Sequence, residues 1–138
     1  LEIELASSDS IYRVADIASF SQYQHEGEYL WAFDVQPDGS VRNKRMFSQL
    51  REPEHGTLGP RSRADGMAID AENRLYVGTG SGVQVIAPDG RYLGTIRTTG
   101  PVRNVAFAGR NRQTLYMTMV DSLWQISVLS HGPEGRAK

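Results

Sequence analysis

The sequence predicts an all-β fold. Three observations carry that expectation. Short runs rich in β-branched and aromatic residues recur along the chain, turn signals separate them, and nowhere do apolar residues keep helical spacing over three turns. The runs, in order, are Ile3 to Leu5, Ile11 to Ala15, Tyr29 to Val35, Val41 to Phe47, Gly66 to Ile69, Leu75 to Gly78, Gly82 to Ile86, Tyr92 to Ile96, Val102 to Phe107, Leu115 to Met119 and Leu123 to Val128. Each is the length of an ordinary strand. Pro37-Asp38-Gly39 and Pro88-Asp89-Gly90 are the clearest turns, because glycine there supplies the positive φ of a tight hairpin. Gly78-Thr79-Gly80-Ser81-Gly82 reads as a further hairpin, since the Lys-Ser/Thr and helix of a phosphate loop do not follow it.

The runs repeat. Tyr12, Tyr76 and Tyr116 stand in matching apolar-Tyr pairs 64 and 40 residues apart, and insertions at 19–28 and 51–63 account for the longer gap. About 40 residues carrying four short strands is the period of a propeller blade. The expected architecture is therefore a β-propeller of about three blades, at residues 1–50, 64–98 and 101–129, the last one incomplete and followed by a flexible tail at 130–138. Three blades do not close a ring, and each blade buries its apolar faces against neighbours. The chain is thus expected to be either part of a longer protein or half of a dimeric ring. A β-sandwich is the alternative. Trp31 and Trp124 fall in matching third runs and are read as packing between blades.

Composition removes several function classes. Fifteen Lys and Arg balance 16 Asp and Glu, so the basic excess of a nucleic-acid binder is missing. There is no cysteine for thiolate chemistry or disulfides. No apolar run nears a membrane span, and no signal peptide is visible. No compartment is written into the sequence beyond a soluble setting, the cytoplasm slightly favoured. No Gly-x-Ser-x-Gly elbow supports a serine hydrolase. His25, His55 and His131 lie in polar segments without ligand spacing.

In a propeller the positions just before each innermost strand ring the central axis. Counting back from the anchor tyrosines, Leu1, Asp65 and Asn104 are expected at matching places there. Asp65 and Asn104 are hard oxygen ligands suited to a divalent cation. A second reading of Asp65-Gly66 is a plain hairpin turn, like 38–39 and 89–90.

From Arg63 to Val77 the chain resembles the Asp-Gly-Met-Ala-Ile-Asp stretch of the SMP-30/gluconolactonase family. Phe33-Asp34-Val35 with Pro37-Asp38-Gly39-Ser40 and Asn43-Lys44-Arg45, Gly82-Val83-Gln84-Val85 with Pro88-Asp89-Gly90, and Asn104 to Gly109 with Leu115 to Thr118 extend the resemblance over nearly the whole chain. It implies the C-terminal half of a six-bladed propeller that hydrolyses a lactone or handles a sugar acid with one divalent metal, Ca²⁺ first, then Zn²⁺, Mn²⁺ or Mg²⁺. In the family, a first-blade Glu, an Asn in an Asn-Gly motif and the Asp of Asp-Gly-Met hold that metal. Only the last carries over, onto Asp65. The Asn-Gly motif falls on Leu1-Glu2, and the first-blade Glu has no counterpart. Asp65 is accordingly the expected catalytic residue and metal ligand, Asn104 a metal or substrate contact, and Arg63 a substrate-binding residue. For this chain in isolation the missing Asn and Glu favour a different class of function: a non-catalytic propeller fragment that associates with itself or with a partner.

Overall fold

The computed structural model of the chain describes residues 3–7, 10–16, 28–56 and 59–134. Among them it is all-β apart from one 3₁₀ turn, Arg110–Arg112. Strands β1 (Ile3–Ser7), β2 (Ser10–Asp16), β3 (Tyr29–Val35) and β4 (Val41–Gln49) form one antiparallel sheet in sequence order. A small hairpin follows, β5 (Glu54–Gly56) with β6 (Gly59–Arg61). A second four-stranded sheet runs β7 (Met67–Ile69), β8 (Leu75–Thr79), β9 (Gly82–Ile86) and β10 (Tyr92–Arg97). A three-stranded sheet runs β11 (Asn104–Ala108), β12 (Thr114–Thr118) and β13 (Leu123–Ser127). The first strands of the three sheets come together, with β1 and β11 both lying against β7. No sheet closes on itself. No helix among the described residues is long and apolar enough to cross a membrane.

The turns form for local reasons. At 36–40 the Gln36 amide donates to the Ser40 carbonyl at 2.8 Å and the Gly39 amide returns to Gln36 at 2.9 Å. Gly39 takes φ 82° and Asp38 Oδ1 accepts from the Ser40 amide at 2.9 Å. The turn at 87–91 repeats this geometry with Gly90 at φ 86°. Positive φ falls on the glycine only, so each is a three-residue loop with a left-handed last position, not a two-residue turn. The turn at 70–74 has the same hydrogen bonds, with Asn73 at φ 60°.

Several residues that looked like motif are staples of these hairpins. Asp34 on β3 accepts from Asn43 Nδ2 at 2.8 Å and from Arg45 Nη1 at 2.7 Å on β4. Those two hydrogen bonds, Asn43's first, hold its carboxyl below the ordinary carboxylate range. Asp70 is buried. Its Oδ1 accepts the Glu72 and Arg74 amides, both at 2.9 Å, and its Oδ2 accepts Arg74 Nε at 2.6 Å. The Tyr76 hydroxyl lies 3.3 Å from Asp70 Oδ2 and 2.9 Å from Ser130 Oγ, and burial pushes its pKa up. Ser130 also accepts from Arg74 Nη2, the Ala71 amide donates to the His131 carbonyl, and the Gly132 amide donates to that of Arg112. The expected free tail therefore does not begin at 130: Ser130 to Gly132 are stitched to the second and third sheets. Residues 135–138 lie outside the described residues.

The core sits between the sheets. Leu30 and Leu50 of the first sheet pack with Ala64, Met67, Leu75, Val77 and Ile86. On the opposite face of the second sheet, Tyr76 and Val83 pack with Val102, Val105, Leu115 and Met117. Alternate residues of β8 thus enter opposite clusters, and all five are buried. A buried glutamine ties the sheets as well: Gln84 Oε1 accepts from the Arg51 amide at 2.8 Å and its Nε2 donates to the Arg51 carbonyl at 2.7 Å. The side chain thus replaces a strand partner for Arg51 and leaves no buried amide unpaired.

Two expectations need correcting. The insertion at 51–63 carries the β5–β6 hairpin, and His55 stands in a strand. Trp31 is partly covered, with Tyr29 edge-on and Lys44 Nζ 4.1 Å from its ring centre. Trp124 pairs with Met117 and so lies on the face of the third sheet turned to the second, yet it is exposed, as is Leu123 on the opposite face.

Two-sided burial gives a direct expectation for stability. Leu75→Ala should cost about 2–5 kcal/mol in denaturant unfolding, because a fully buried side chain leaves a cavity between two sheets. Val120→Ala, on the uncovered surface, should change stability by about 0.5 kcal/mol or less.

Candidate functional site

The segment leading into β7 is built by hydrogen bonds that change partner within two residues. The Gly80 amide donates to the Ser62 carbonyl at 3.0 Å, and the Asp65 amide donates to Gly78 at 3.0 Å. The Gly78 amide then donates to Gly66, so Asp65 and Gly66 together face one residue of β8. Such a bulge re-aims side chains at the end of a strand. The amide of Gly66 is left over, and it donates to the Arg103 carbonyl on the neighbouring sheet at 2.7 Å. Asp65-Gly66 is therefore not a turn, and Gly66 is not among the positive-φ glycines.

Glycine is required here because another chain segment passes against it. A Cβ on Gly66 would lie 2.1 Å from Asn104 Oδ1 and 2.8 Å from the Asn104 Cα. A Cβ on Gly78 would lie 2.8 Å from the Val102 carbonyl oxygen. Two glycines thus admit residues 102–104 onto the start of the second sheet. Val102 and Arg103 are fixed in turn, their amides donating to Thr79 and Thr118 carbonyls at 3.0 and 2.8 Å.

This close approach brings two of the three expected site residues together. The Asp65 carboxylate is half exposed, and Arg103 Nη1 lies 3.8 Å from its Oδ2, with Arg103 also half exposed. The distance is a charge contact and not a hydrogen bond. In such an exposed position it stabilises by about 0–1 kcal/mol. Asn104 is exposed, and its Oδ1 accepts from the Val105 amide at 2.9 Å while lying over Gly66. Arg63 is exposed in a left-handed conformation, φ 51°.

The expected equivalence of Asp65 and Asn104 is off by one. Ala68 pairs with Tyr76 and Ala106 with Tyr116. Counting back two and three residues, Gly66 matches Asn104 and Asp65 matches Arg103. Ala106 and its partner Tyr116 are ten residues apart, against eight for Ala68 and Tyr76, which shifts any count made from the tyrosines. Arg103 was the residue missed. The signal for it was present, since it precedes an Asn-apolar-Ala-apolar run as Asp65 precedes Gly-Met-Ala-Ile. Leu1 and Glu2 lie outside the described residues.

Among the described residues no three His, Cys, Asp or Glu side chains gather as a metal site. The Asp65 carboxylate and the Asn104 amide oxygen are nonetheless hard, solvent-accessible donors on adjoining segments. That donor chemistry fits a divalent cation of the Ca²⁺ or Mg²⁺ kind. Two donors are part of a shell, since Ca²⁺ takes about six to eight oxygens.

The family described as the SMP-30/gluconolactonase/LRE-like region matches residues 24–121. A gluconolactonase from Zymomonas mobilis is 26% identical over 105 residues, 75% of this chain and 29% of that protein. A lactonohydrolase from Aspergillus oryzae is 32% identical over 108 residues, 78% of this chain and 22% of that protein. A solved gluconolactonase from Xanthomonas campestris superposes with a TM-score of 0.61 at 25% identity, over 86% of this chain and 33% of that one. A luciferin-regenerating enzyme superposes with a TM-score of 0.64 at 21% identity, over 96% and 47%, a likeness of fold alone. The chain spans less than a third of the curated relatives it matches.

The geometry around Gly66 is directly testable. Gly66→Ala should lower stability by about 2 kcal/mol or more, because the new methyl meets backbone as well as side chain of Asn104. Gly39→Ala, with nothing within 4 Å of the added methyl, should show only the smaller strain of positive φ. Equal losses in urea melts would contradict the close approach.

Proposed function

The chain belongs to the SMP-30/gluconolactonase/LRE-like family, and from that premise we propose that it supplies part of the active site of a metal-dependent lactone hydrolase. In this reading the three sheets are three blades, at 1–50, 64–98 and 101–129, the last one incomplete. Further blades complete the ring, from a second copy or from more chain. The observation that carries the reading is the solvent-facing Asp65 carboxylate at the mouth of β7, with Asn104 and Arg103 delivered beside it by the neighbouring sheet.

Lactone hydrolysis adds water across the ring ester and releases a hydroxy acid. Asp65 would hold the divalent cation and accept a proton from the attacking water, for which an exposed carboxylate is chemically suited. Asn104 would hold the cation or a substrate hydroxyl through its amide. Arg63 would bind a hydroxyl or carboxylate of the sugar-acid part. When bound, the cation supplies Lewis-acid polarisation of the ester carbonyl and a more acidic water. Ca²⁺ is the first candidate, then Zn²⁺, Mn²⁺ and Mg²⁺. The bulge at Asp65-Gly66 sets the direction of the carboxylate, and the glycine contacts fix its distance from Asn104.

A second reading rests on exposed apolar side chains of the third sheet and its flanking segments. Val120, Leu123, Trp124 and Leu129 are exposed, which suits a non-catalytic module that associates with a copy of itself or with a partner. Both readings predict association, and the carboxylate separates them.

For the purified chain, glucono-δ-lactone hydrolysis followed by acid release, with and without added Ca²⁺, tests the proposal. The expected result is metal-stimulated hydrolysis that falls at least about a hundredfold in Asp65→Ala, with the urea midpoint unchanged in chelator. Hydrolysis equal in both proteins, or none in either at a size shown by light scattering to be a closed assembly, would remove the enzyme reading and leave the binding module.

A further inference from the structure

Arg103 is the residue at this site for which the lactonase reading has so far given no task. We propose that it is the anion-recognition residue of the site, holding the carboxylate of a sugar acid, the ring-opened product of lactone hydrolysis. The proposal rests on the lactonase reading for the identity of the anion, but its test does not require turnover.

Four observations support it. The backbone of Arg103 is fixed at both ends, its amide donating to Thr118 and its carbonyl accepting from Gly66, so the side chain starts from a defined point. The β11 register puts it at the place Asp65 holds on the adjoining sheet, and the two half-exposed side chains come within 3.8 Å of each other. The only interaction of its side chain among the described residues is the 3.8 Å charge contact with Asp65, too long for a hydrogen bond and half exposed. The planar fork of donors is consequently uncommitted and can be redirected at little cost. Finally, Asn104 cannot take the role, because it presents an amide and lies down over Gly66.

The chemistry follows from charge. A lactone is neutral at the ester, whereas hydrolysis creates a carboxylate where the carbonyl was. An Arg beside the proton-accepting Asp65 binds that product group with two parallel charge-assisted hydrogen bonds. It also offsets the repulsion between the product carboxylate and Asp65 while the hydroxy acid is still in place. The same guanidinium competes with a cation for Asp65, so the site alternates between an internal pair when empty and an external pair when an anion is bound.

Calorimetric titration of D-gluconate into the full chain, in chelator and at low salt, tests this, with sorbitol as the neutral analogue. The expected result is binding of gluconate but not sorbitol, weakened about tenfold or more in Arg103→Ala and less in Arg103→Lys, which keeps charge without the fork. Arg91→Ala, on a distant exposed turn, should bind like the parent. No gluconate binding by the parent, or equal binding by Arg103→Ala and the parent with unchanged circular dichroism, overturns the proposal. Lactone hydrolysis measured on the same proteins separates the two ideas. Hydrolysis with binding indifferent to Arg103 sinks this inference alone, and Arg103-dependent binding without hydrolysis sinks the lactonase reading alone.

Discussion

The middle sheet, β7 to β10, is apolar on both faces, and everything else in the structure follows from covering them. Leu75, Val77 and Ile86 need the first sheet, while Tyr76 and Val83 need the third. A sheet with two buried faces cannot stand alone in water, so three sheets stack in sequence order and their first strands meet. The end sheets inherit the same requirement. The exposed Leu123 on β13 and Met46 on β4 show what remains uncovered when the stack is three deep.

Stacking alone would leave the first strands separated by the thickness of their side chains. Two glycines remove that thickness at one level. Gly66 and Gly78 let residues 102–104 lie on the backbone of the second sheet, and the spare Gly66 amide is satisfied by Arg103. The consequence is chemical. A carboxylate, an amide and a guanidinium from two sheets arrive at one solvent-facing edge, held by backbone and not by one another. The buried Asp70–Arg74–Tyr76–Ser130 cluster secures the far end of the same hairpin and binds the chain's last described turn to it.

Much of the fold was legible because its causes are local. Pro37-Asp38-Gly39 and Pro88-Asp89-Gly90 announce their turns, and Leu75-Tyr76-Val77 announces a strand. The family resemblance was legible too, and part of what carries it proves structural: Asp34, Asn43 and Arg45 staple a hairpin. The site was only half legible. By sequence Asp65-Gly66 reads more readily as a turn, and what decides otherwise is a contact with a segment 38 residues away in sequence. The register of Asn104 was misplaced by one because matching pairs are two residues further apart in the β11–β12 hairpin than in the β7–β8 one. Arg103 was passed over for that reason, and the β5–β6 hairpin because Glu54–Gly56 and Gly59–Arg61 lack any alternation.

The account stands on the Gly66 amide reaching across to the neighbouring sheet. Residue-resolved hydrogen exchange of the folded chain reads that bond directly. Protection of the Gly66 amide comparable to that of Val77 inside β8 is what the account predicts. Exchange at the rate of an open, solvent-bathed turn would mean that the sheets do not meet at Asp65, and the site as described would not exist.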